Sequence, residues 1–588
     1  MILSDVFIKT DKNIVGKNGG EYSLVLPENP NAYEKKAAEE FNFLLEKSVG
    51  VKLPAICEAD FSGKGIFLGN TERATNKLGE ISFGDYGSDG FKIISDGNDL
   101  IIAGVDRGTL FGVYKFFERA AGYIYYAEGE IKIDSLDELK FYECSVFEKP
   151  DIDARSFGYY DCYHIGFPDV EKNADRLFVS RNNYSDWITA GHTYFQIIPK
   201  SEYEKYRPDW YSKDGNNLCL TADGLVEEFS ENVAKMIISS NGGRYFMIGQ
   251  EDNFGFCDCE RCKKAEKTYG GKSAVMMKFS NAVARSVKDK LKGYPRFNDI
   301  KLVTFAYNAT SEPPVRYDEN KKEFLPLSDE VKAEDNLAVM CVPFGTLHNY
   351  PYTHPKNECG YKALKGWSAC AKSLFVWDYC VNFDNYLVDF NDYDVIAENY
   401  RFFKEIGVDF LFDQGSYNSK TPCFDELKLY LHSRLAWDSS LNTEELIDDF
   451  CKEYYKDIAE PVKEYLTAVR NRWKYISAKY GEDVRSGGMD SSYYLLPQFF
   501  PKDYLYDCFE IFTRARGILE TIRIEEWDKY ILLKKRLKKL SIGARFLFIK
   551  IYGRLYGNEL PVKINSLRAD MNEFGIVMTN EGNFLEIC

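Results

Sequence analysis

The chain has 588 residues and a mass of 67.8 kDa, a length that predicts several domains. Its 75 Lys and Arg against 91 Asp and Glu give a net charge of −16, which argues against broad nucleic-acid binding and against docking on anionic membranes. No apolar run reaches about 18 residues, and the N-terminus lacks a basic stretch followed by an apolar one, so we expect no membrane span, no signal peptide and a cytoplasmic protein. The 15 cysteines are then expected to be mostly free thiols.

The first 145 residues alternate strand and helix signals. The predicted elements are a strand at 22–26, a helix at 32–47 capped by Asn31, a strand at 66–69, a hairpin of strands at 91–95 and 100–104, and a helix at 108–121. This pattern predicts an N-terminal α/β sandwich domain over residues 1–145.

Repeated strand-then-helix units follow over residues 150–438. The predicted strands lie at 245–249, 302–307, 337–342, 374–379 and 408–412, and the predicted helices at 225–237, 274–291, 393–405 and 425–437. Such repeats are typical of a parallel (β/α)8 TIM-like barrel with its active residues at the carboxyl ends of the strands, although pattern alone does not exclude an open doubly wound sheet. Residues 439–588 are mainly helical, with weak strand signals in the last thirty, and this region could cover the pocket or form a homodimer.

The densest polar cluster follows the predicted strand at 245–249. Glu251 and Asp252 are adjacent there, and two carboxylates just past a barrel strand suit glycoside hydrolysis, which needs one acid and one second carboxylate. Two neighbouring anions also raise one pKa, which keeps one group protonated. The alternative is a solvated acidic loop.

Three cysteines lie just beyond these carboxylates, at Cys257, Cys259 and Cys262. They could bind a structural zinc with a fourth ligand from elsewhere, form a redox pair, or pack as thiols that hold the loop. Because no second cysteine pair accompanies them, packed thiols are favoured over zinc, and no cofactor is required.

Other candidate sugar contacts share one pattern, an apolar strand followed by an aromatic or polar residue. Each alone could equally be a core residue, but several such endings favour a shared pocket of aromatic platforms with amide and carboxylate partners. These substrate-binding candidates are Trp187, His192, Tyr307, Asn308, His348, Trp377, Asp378, Tyr379, Asp413 and Gln414. Walker A, dinucleotide, HExxH and nucleophile-elbow motifs are not evident, which disfavours nucleotide-binding and common hydrolase functions.

The segments GQEDNFGFCDCERCKKAE, WITAGHTYFQIIPKSEYEKYRPDWYS, TFAYNATSEPP and WDYCVNFDNYLVDFND together resemble the bacterial family named domain of unknown function 4838. Part of that family is glycoside hydrolase family 163, endo-β-N-acetylglucosaminidases. AGVDRGTLFGVYKFFERAAGYIYYAEG resembles the domain that precedes the barrel in α-glucuronidases and β-hexosaminidases.

The resemblance implies a barrel glycosidase in which the substrate's N-acetyl group attacks the anomeric carbon. By position, Glu251 would be the general acid and Asp252 would orient the acetamide. Relatives carry Asn where Glu251 stands, so either Glu251 is an acid in this chain or Asp252 is the common functional residue.

Two other functions remain open. An α-glucuronidase-like enzyme would need a basic residue for the substrate carboxylate, and Arg155 or Arg181 could serve. A non-catalytic glycan-binding protein would use the same aromatic platforms. The tyrosine-rich residues 489–500 either reach the pocket or connect two helices. An oligosaccharide is the expected partner in every case.

Overall fold

The computed structural model describes residues 5–163, 167–180, 186–481 and 495–582. Its N-terminal part is a mixed seven-stranded sheet with helices. The elements are β1 (Val6–Gly16), β2 (Tyr22–Leu26), α1 (Ala32–Val49), β3 (Ala55–Cys57), β4 (Lys64–Leu68), α2 (Glu72–Leu78), α3 (Phe83–Tyr86), β5 (Phe91–Asp96), β6 (Asp99–Gly104), α4 (Gly108–Ala121), β7 (Ile124–Ala127), β8 (Glu130–Lys132) and β9 (Glu138–Glu148). The strand order is β1-β9-β5-β6-β4-β2-β3.

Local chemistry explains the predicted helix α1. The Asn31 side chain accepts hydrogen bonds from the backbone of Tyr33 and Glu34, and the Glu34 carboxylate accepts one from the Asn31 N–H. Gly50 ends the helix in the left-handed conformation, at φ 86°, which glycine adopts at little cost. The predicted start of this helix, its stop at Gly50 and the predicted hairpin of β5 and β6 are confirmed, although the helix continues two residues past the predicted end, to Val49.

A second sheet begins after β9. Its strands and the accompanying elements are β10 (Ala154–Phe157), α5 (Tyr160–Tyr163), α6 (Pro168–Arg176), β11 (Trp187–Thr189), α7 (Tyr194–Ile197), α8 (Lys200–Tyr203), α9 (Leu225–Ser239), β12 (Tyr245–Met247), α10 (Glu260–Tyr269), α11 (Lys272–Lys290), β13 (Lys301–Ala306), β14 (Val315–Asp318), β15 (Glu323–Pro326), β16 (Leu337–Cys341), α12 (Glu358–Cys370), β17 (Leu374–Tyr379), α13 (Ile396–Glu405), β18 (Val408–Gln414) and α14 (Asp425–Trp437).

This sheet is parallel and curled. Its order is β10-β18-β17-β16-β13-β12-β11, so the first strand in sequence pairs with the last, as in a barrel. The expectation of eight strands is not met in the described residues, where seven strands pair and no ladder joins β10 to β11. The architecture is therefore a curled half-barrel, and a complete TIM barrel is not established.

Helices make up nearly all of the remaining described chain. They are α15 (Thr443–Tyr455), α16 (Ala459–Tyr480), α17 (Lys502–Ile522), α18 (Trp527–Tyr552) and α19 (Leu560–Glu573). The weak strand signals expected in the last thirty residues are wrong for the part that forms α19. In the described chain, none of these helices or the earlier ones has the length and apolar character that a membrane crossing requires.

The start of β10 is tied to the N-terminal sheet by a buried ion pair. Arg155 is fully buried, and its guanidinium lies 2.9 Å from the Asp89 carboxylate. It also donates to the carbonyl oxygens of Ile152, Asp153 and Phe178. A charge held in this way binds the two sheets together.

Candidate active site

The residues after β12 form the floor of the candidate site. Gly249 passes so close to β13 that a Cβ would lie 2.5 Å from the Phe305 ring and 2.9 Å from the Gly191 oxygen. Its own carbonyl accepts the backbone N–H groups of Thr193 and Tyr194. A residue without a side chain is therefore needed for the β12 loop and the His192 loop to meet.

The predicted carboxylate pair lies on this loop, and its two members have different surroundings. Glu251 is half-buried, and its Oε1 accepts the backbone N–H of Phe195 at 2.9 Å, in the first turn of α7. The Asp252 side chain is 67% exposed. Asp252 is therefore the carboxylate that faces solvent, while one oxygen of Glu251 is held by the backbone.

Tyr307 and His192 flank Asp252, as the shared-pocket expectation requires. The Tyr307 hydroxyl donates to Asp252 Oδ1 at 3.2 Å, and His192 Nε2 lies 3.9 Å from the same oxygen. Burial and the Asp252 charge raise the pKa of Tyr307 above its ordinary value, so the hydroxyl remains a donor at neutral pH. His192 Nδ1 lies 2.5 Å from the Gln250 carbonyl; because a carbonyl only accepts, Nδ1 carries the proton.

The backbone around this trio is fixed by amide side chains. Gln250 is buried, donates to the Tyr307 carbonyl at 2.7 Å and accepts from the Thr310 hydroxyl at 2.9 Å. Asn308 adopts a left-handed conformation with φ 49° and donates to the Asn253 carbonyl at 3.2 Å. Asn308 thus supports the loop that carries Asp252.

Aromatic side chains line the carboxyl end of the half-barrel. Trp377 packs against Phe412 with ring centres 4.9 Å apart and against Phe305 at 6.1 Å. On the other side Phe344, which is 50% exposed, packs against Tyr307 and Tyr379 at 6.3 and 6.0 Å. Half-buried rings of this kind offer apolar faces to a sugar.

Gln414 lies in the same lining, and a residue that sequence reasoning missed lies beside it. Gln414 Oε1 accepts the indole N–H of Trp377 at 2.8 Å, and its Nε2 donates to Glu581 at 3.5 Å. Glu581 also accepts from the Tyr417 hydroxyl at 3.2 Å. Nothing in the local sequence of Glu581 signals this location, because its segment is brought back to the site by backbone hydrogen bonds to residues 383 and 386.

Asp378 and Asp413 do not face this lining, contrary to the expectation that they contact substrate. They are register partners on β17 and β18 and point outward, between the sheet and its helices. Asp378 accepts from Tyr352, and Asp413 accepts from Tyr400 and lies 3.1 Å from His432 Nδ1. Burial, together with the Asp413 charge, raises the pKa of Asp378 to about 7.

Two further substrate-binding candidates also lie away from the lining. His348 is buried, its Nδ1 lies 3.9 Å from Asp378, and burial lowers its pKa to about 3. Trp187 begins β11 and packs inside the half-barrel near Tyr245 and Phe410, with ring centres 5.0 and 5.6 Å apart. Trp187 lies at the amino ends of the strands, so its location fits a core residue.

The described cysteines are all unpaired thiols, as expected, and two groups of side chains have the composition of metal ligands. Cys257, Cys259 and Cys262 are joined by Cys219, with all four sulfurs within 4.8 Å of one another. Cys380, Asp413 and His432 form a second, buried group. In that second group the Tyr400 hydroxyl bonds both Asp413 and His432, which accounts for it as a hydrogen-bonded network.

Of the two basic residues suggested for a uronic acid, the structure describes Arg155 and places it away from Asp252. Arg155 lies at the amino end of β10, in its ion pair with Asp89. Asp252 follows the carboxyl end of β12, so the two residues lie at opposite ends of the parallel strands. Arg181 lies outside the described residues, as do residues 489–494 of the tyrosine-rich segment. Phe499 and Phe500 of that segment are buried, and both accept hydrogen bonds through their carbonyls from helical residues.

A family model described as a domain of unknown function (DUF4838) matches residues 125–467. Among solved structures, the chain is similar to a family GH115 4-O-methyl-α-glucuronidase with specificity for decorated arabinogalactans, with 11% identity, a TM-score of 0.56, and coverage of 98% of this chain and 78% of that one. A GH138 enzyme targeting pectin rhamnogalacturonan II has 12% identity, a TM-score of 0.44 and coverage of 95% and 94%. CpGH84D has 12% identity, a TM-score of 0.45, and coverage of 97% of this chain and 92% of that one.

At 11% identity the likeness to the GH115 enzyme concerns the fold alone. The comparison with curated proteins gave no match. The family match spans more than half of the chain and includes β10 to β18, the Asp252 loop and the cysteine cluster. The chain therefore belongs to the family described as domain of unknown function 4838.

Proposed function

We propose that the protein is a glycoside hydrolase whose reaction depends on Asp252. The observation that carries this proposal is the exposed Asp252 carboxylate, which lies beside the Tyr307 hydroxyl and His192 at the carboxyl edge of the sheet. The half-buried rings of Trp377 and Tyr379 lie on the same side of the sheet. The likeness in fold to a GH115 glucuronidase supports an enzyme of this class.

The proposed substrate is an oligosaccharide with a β-linked N-acetylhexosamine. In the substrate-assisted reaction, Asp252 accepts the acetamide N–H while the acetamide oxygen attacks the anomeric carbon. Glu251 donates its proton to the leaving glycosidic oxygen, and the resulting carboxylate then removes a proton from the water that opens the cyclic intermediate. This is the reaction expected of glycoside hydrolase family 163, and membership of that family stays a prediction.

The contact of Glu251 with the Phe195 N–H gives the two carboxylates separable roles. One oxygen of Glu251 is anchored, which would orient the other towards a leaving group. Within the part of the chain that the structure describes, Asp252 contacts the side chains of Tyr307 and His192 instead of a backbone N–H. Loss of an acid is harmful only when the leaving group needs a proton, whereas loss of the acetamide partner harms every substrate.

The test is hydrolysis of a panel of aryl glycosides and N-glycan oligosaccharides by the wild type, Asp252→Asn and Glu251→Gln. Asp252→Asn should lower kcat by about 10³ on N-acetylglucosaminides with good and poor leaving groups alike. Glu251→Gln should lower kcat by a similar factor for N-acetylglucosaminides with poor leaving groups. It should lower kcat by much less for the 2,4-dinitrophenyl glycoside, whose leaving group needs no proton. The control is Glu260→Gln, which changes a side chain that follows Cys259 directly and is 95% exposed; this variant should leave the rate unchanged.

An α-glucuronidase is the second candidate, and the fold likeness to the GH115 enzyme favours it. Against it, Arg155 is bound to Asp89 at the other end of β10. Turnover of a glucuronide alone would replace the acetamide mechanism with this function. Retained glycan binding without turnover of any substrate, in a folded protein, would contradict both enzymes and indicate a binding protein.

A further inference from the structure

We propose that Cys219, Cys257, Cys259 and Cys262 together bind one zinc ion, which fastens the Asp252 loop to the segment before α9. Cys219 lies 38 residues before Cys257, the first of the other three cysteines. The close spacing of those three therefore does not reveal Cys219 as a fourth ligand. The zinc site is independent of the proposed function; only its effect on turnover rests on that function.

The sulfur positions match a tetrahedral site. With Zn–S bonds of about 2.3 Å, neighbouring sulfurs around one ion are about 3.8 Å apart. Cys219 Sγ lies 3.6 Å from Cys259 Sγ and 3.7 Å from Cys262 Sγ. All four sulfurs lie within 4.8 Å of one another, so each can contact a single ion at the centre.

The surroundings suit thiolates bound to a cation. Cys219, Cys257 and Cys262 are buried and Cys259 is half-buried, which shields the site from solvent. The Cys262 N–H points at Cys259 Sγ at 3.5 Å, as in turns that place two cysteines on one zinc. The positive charge of Arg261 interacts with Cys219 and Cys259 and offsets part of the negative charge of a four-thiolate site.

Disulfides and simple thiol packing explain the arrangement less well. A disulfide requires about 2.05 Å between sulfurs, and the separations of Cys219 Sγ from Cys259 Sγ and Cys262 Sγ are far longer. Thiols are weak donors and acceptors and would be satisfied in pairs, without four of them converging from two distant segments. A soft, closed set of four sulfurs is the ligand set of structural zinc.

The ion would hold both sides of a loop that is already partly tied. Asn217, two residues before Cys219, donates to Asn253 Oδ1 at 2.7 Å and to the Gly255 carbonyl at 3.0 Å. These residues follow Asp252 directly. Zinc bound by Cys219 and Cys257 would therefore fix the loop from its other end and keep the Asp252 backbone in place.

Metal content of the purified full chain tests the proposal. Elemental analysis of the reduced protein should find one zinc per chain in the wild type and near none in Cys219→Ser. The matched control is Cys359→Ser, which changes an exposed cysteine and should retain one zinc. Cobalt added to the zinc-stripped protein should give the d–d bands of a tetrahedral thiolate site in the wild type and in the Cys359→Ser control alone.

A measurement on the wild type guards against misfolding of the cysteine variant. Stepwise blocking of thiols with a mercurial reagent should release one zinc as four thiols react, detected with a chromogenic chelator. Absence of bound zinc after zinc addition, iron in its place, or equal zinc in Cys219→Ser and wild type would overturn the proposal. Because zinc is measured directly, the site can be confirmed even where every glycoside in the panel fails to react.

Discussion

The two faces of strands β17 and β18 have different surroundings. On the inner face, Trp377 and Tyr379 are half-buried, and they line the pocket with Gln414. On the outer face, Asp378 and Asp413 are buried against helices and bonded to Tyr352, Tyr400 and His432. Adjacent residues of one strand therefore have different surroundings: inner-face residues line the proposed substrate pocket, and outer-face residues hold the helices on the sheet.

The largest effect expected from this contrast is on stability. Asp413→Ala would leave the Tyr400 hydroxyl and His432 without their buried acceptor, at about 3 kcal/mol of unfolding free energy. Urea denaturation would measure the loss. The control Gln414→Ala, one residue further along the strand, should cost about 1 kcal/mol. Equal losses for the two variants would contradict the division of the strand into a structural and a ligand face.

Asp378 should make stability depend on pH. Its pKa is about 7 in the folded protein against an ordinary 3.8, so between those values the folded state keeps a proton that the unfolded state releases. Stability therefore falls as pH rises through that window, by at most about 1.4 kcal/mol per pH unit. Asp378→Asn, which can still accept from Tyr352, should flatten this slope and be about 2 kcal/mol more stable relative to wild type at pH 8 than at pH 5.5. A constant difference in unfolding free energy between Asp378→Asn and the wild type from pH 4 to 8 would refute this prediction.

The smallest expected effect is on the inner face. Trp377→Phe keeps an aromatic ring but loses the bond to Gln414, and kcat/KM should fall about tenfold with little change in Tm. Trp367→Phe is the matched control, since its buried indole also donates a single bond, to the Ser311 carbonyl at 2.8 Å. That control should lower Tm and leave kcat/KM unchanged; the reverse pattern would place the ligand elsewhere.

Much of the architecture and part of the site could be predicted from the sequence. Apolar runs of strand length and helical periodicity identified strands such as β17 and helices such as α14 at their observed bounds, because these signals are local. The loop with Glu251 and Asp252 was found for the same reason, since an apolar strand ends there in charged residues. The His192 and Tyr307 contacts followed from the rule that parallel strands bring their carboxyl ends together.

Only the tertiary structure decided which strand-end residues face the pocket. A parallel strand buried on both faces is apolar on both, so hydrophobicity does not tell whether Trp377 or Asp378 points inward. Helices α13 and α14 supply that answer, because Tyr400 and His432 are the partners of Asp413.

The tertiary structure also brought distant residues to the site. Cys219 joins the cysteine cluster and Glu581 reaches Gln414 through long-range packing that leaves no local trace in the sequence. By itself the sequence determined many of the strands and helices and the acidic loop, since each of these depends on neighbours in the chain. The direction in which a strand-end side chain points, and the set of residues that meet at the site, depend on contacts between remote segments. Only the folded chain contains those contacts.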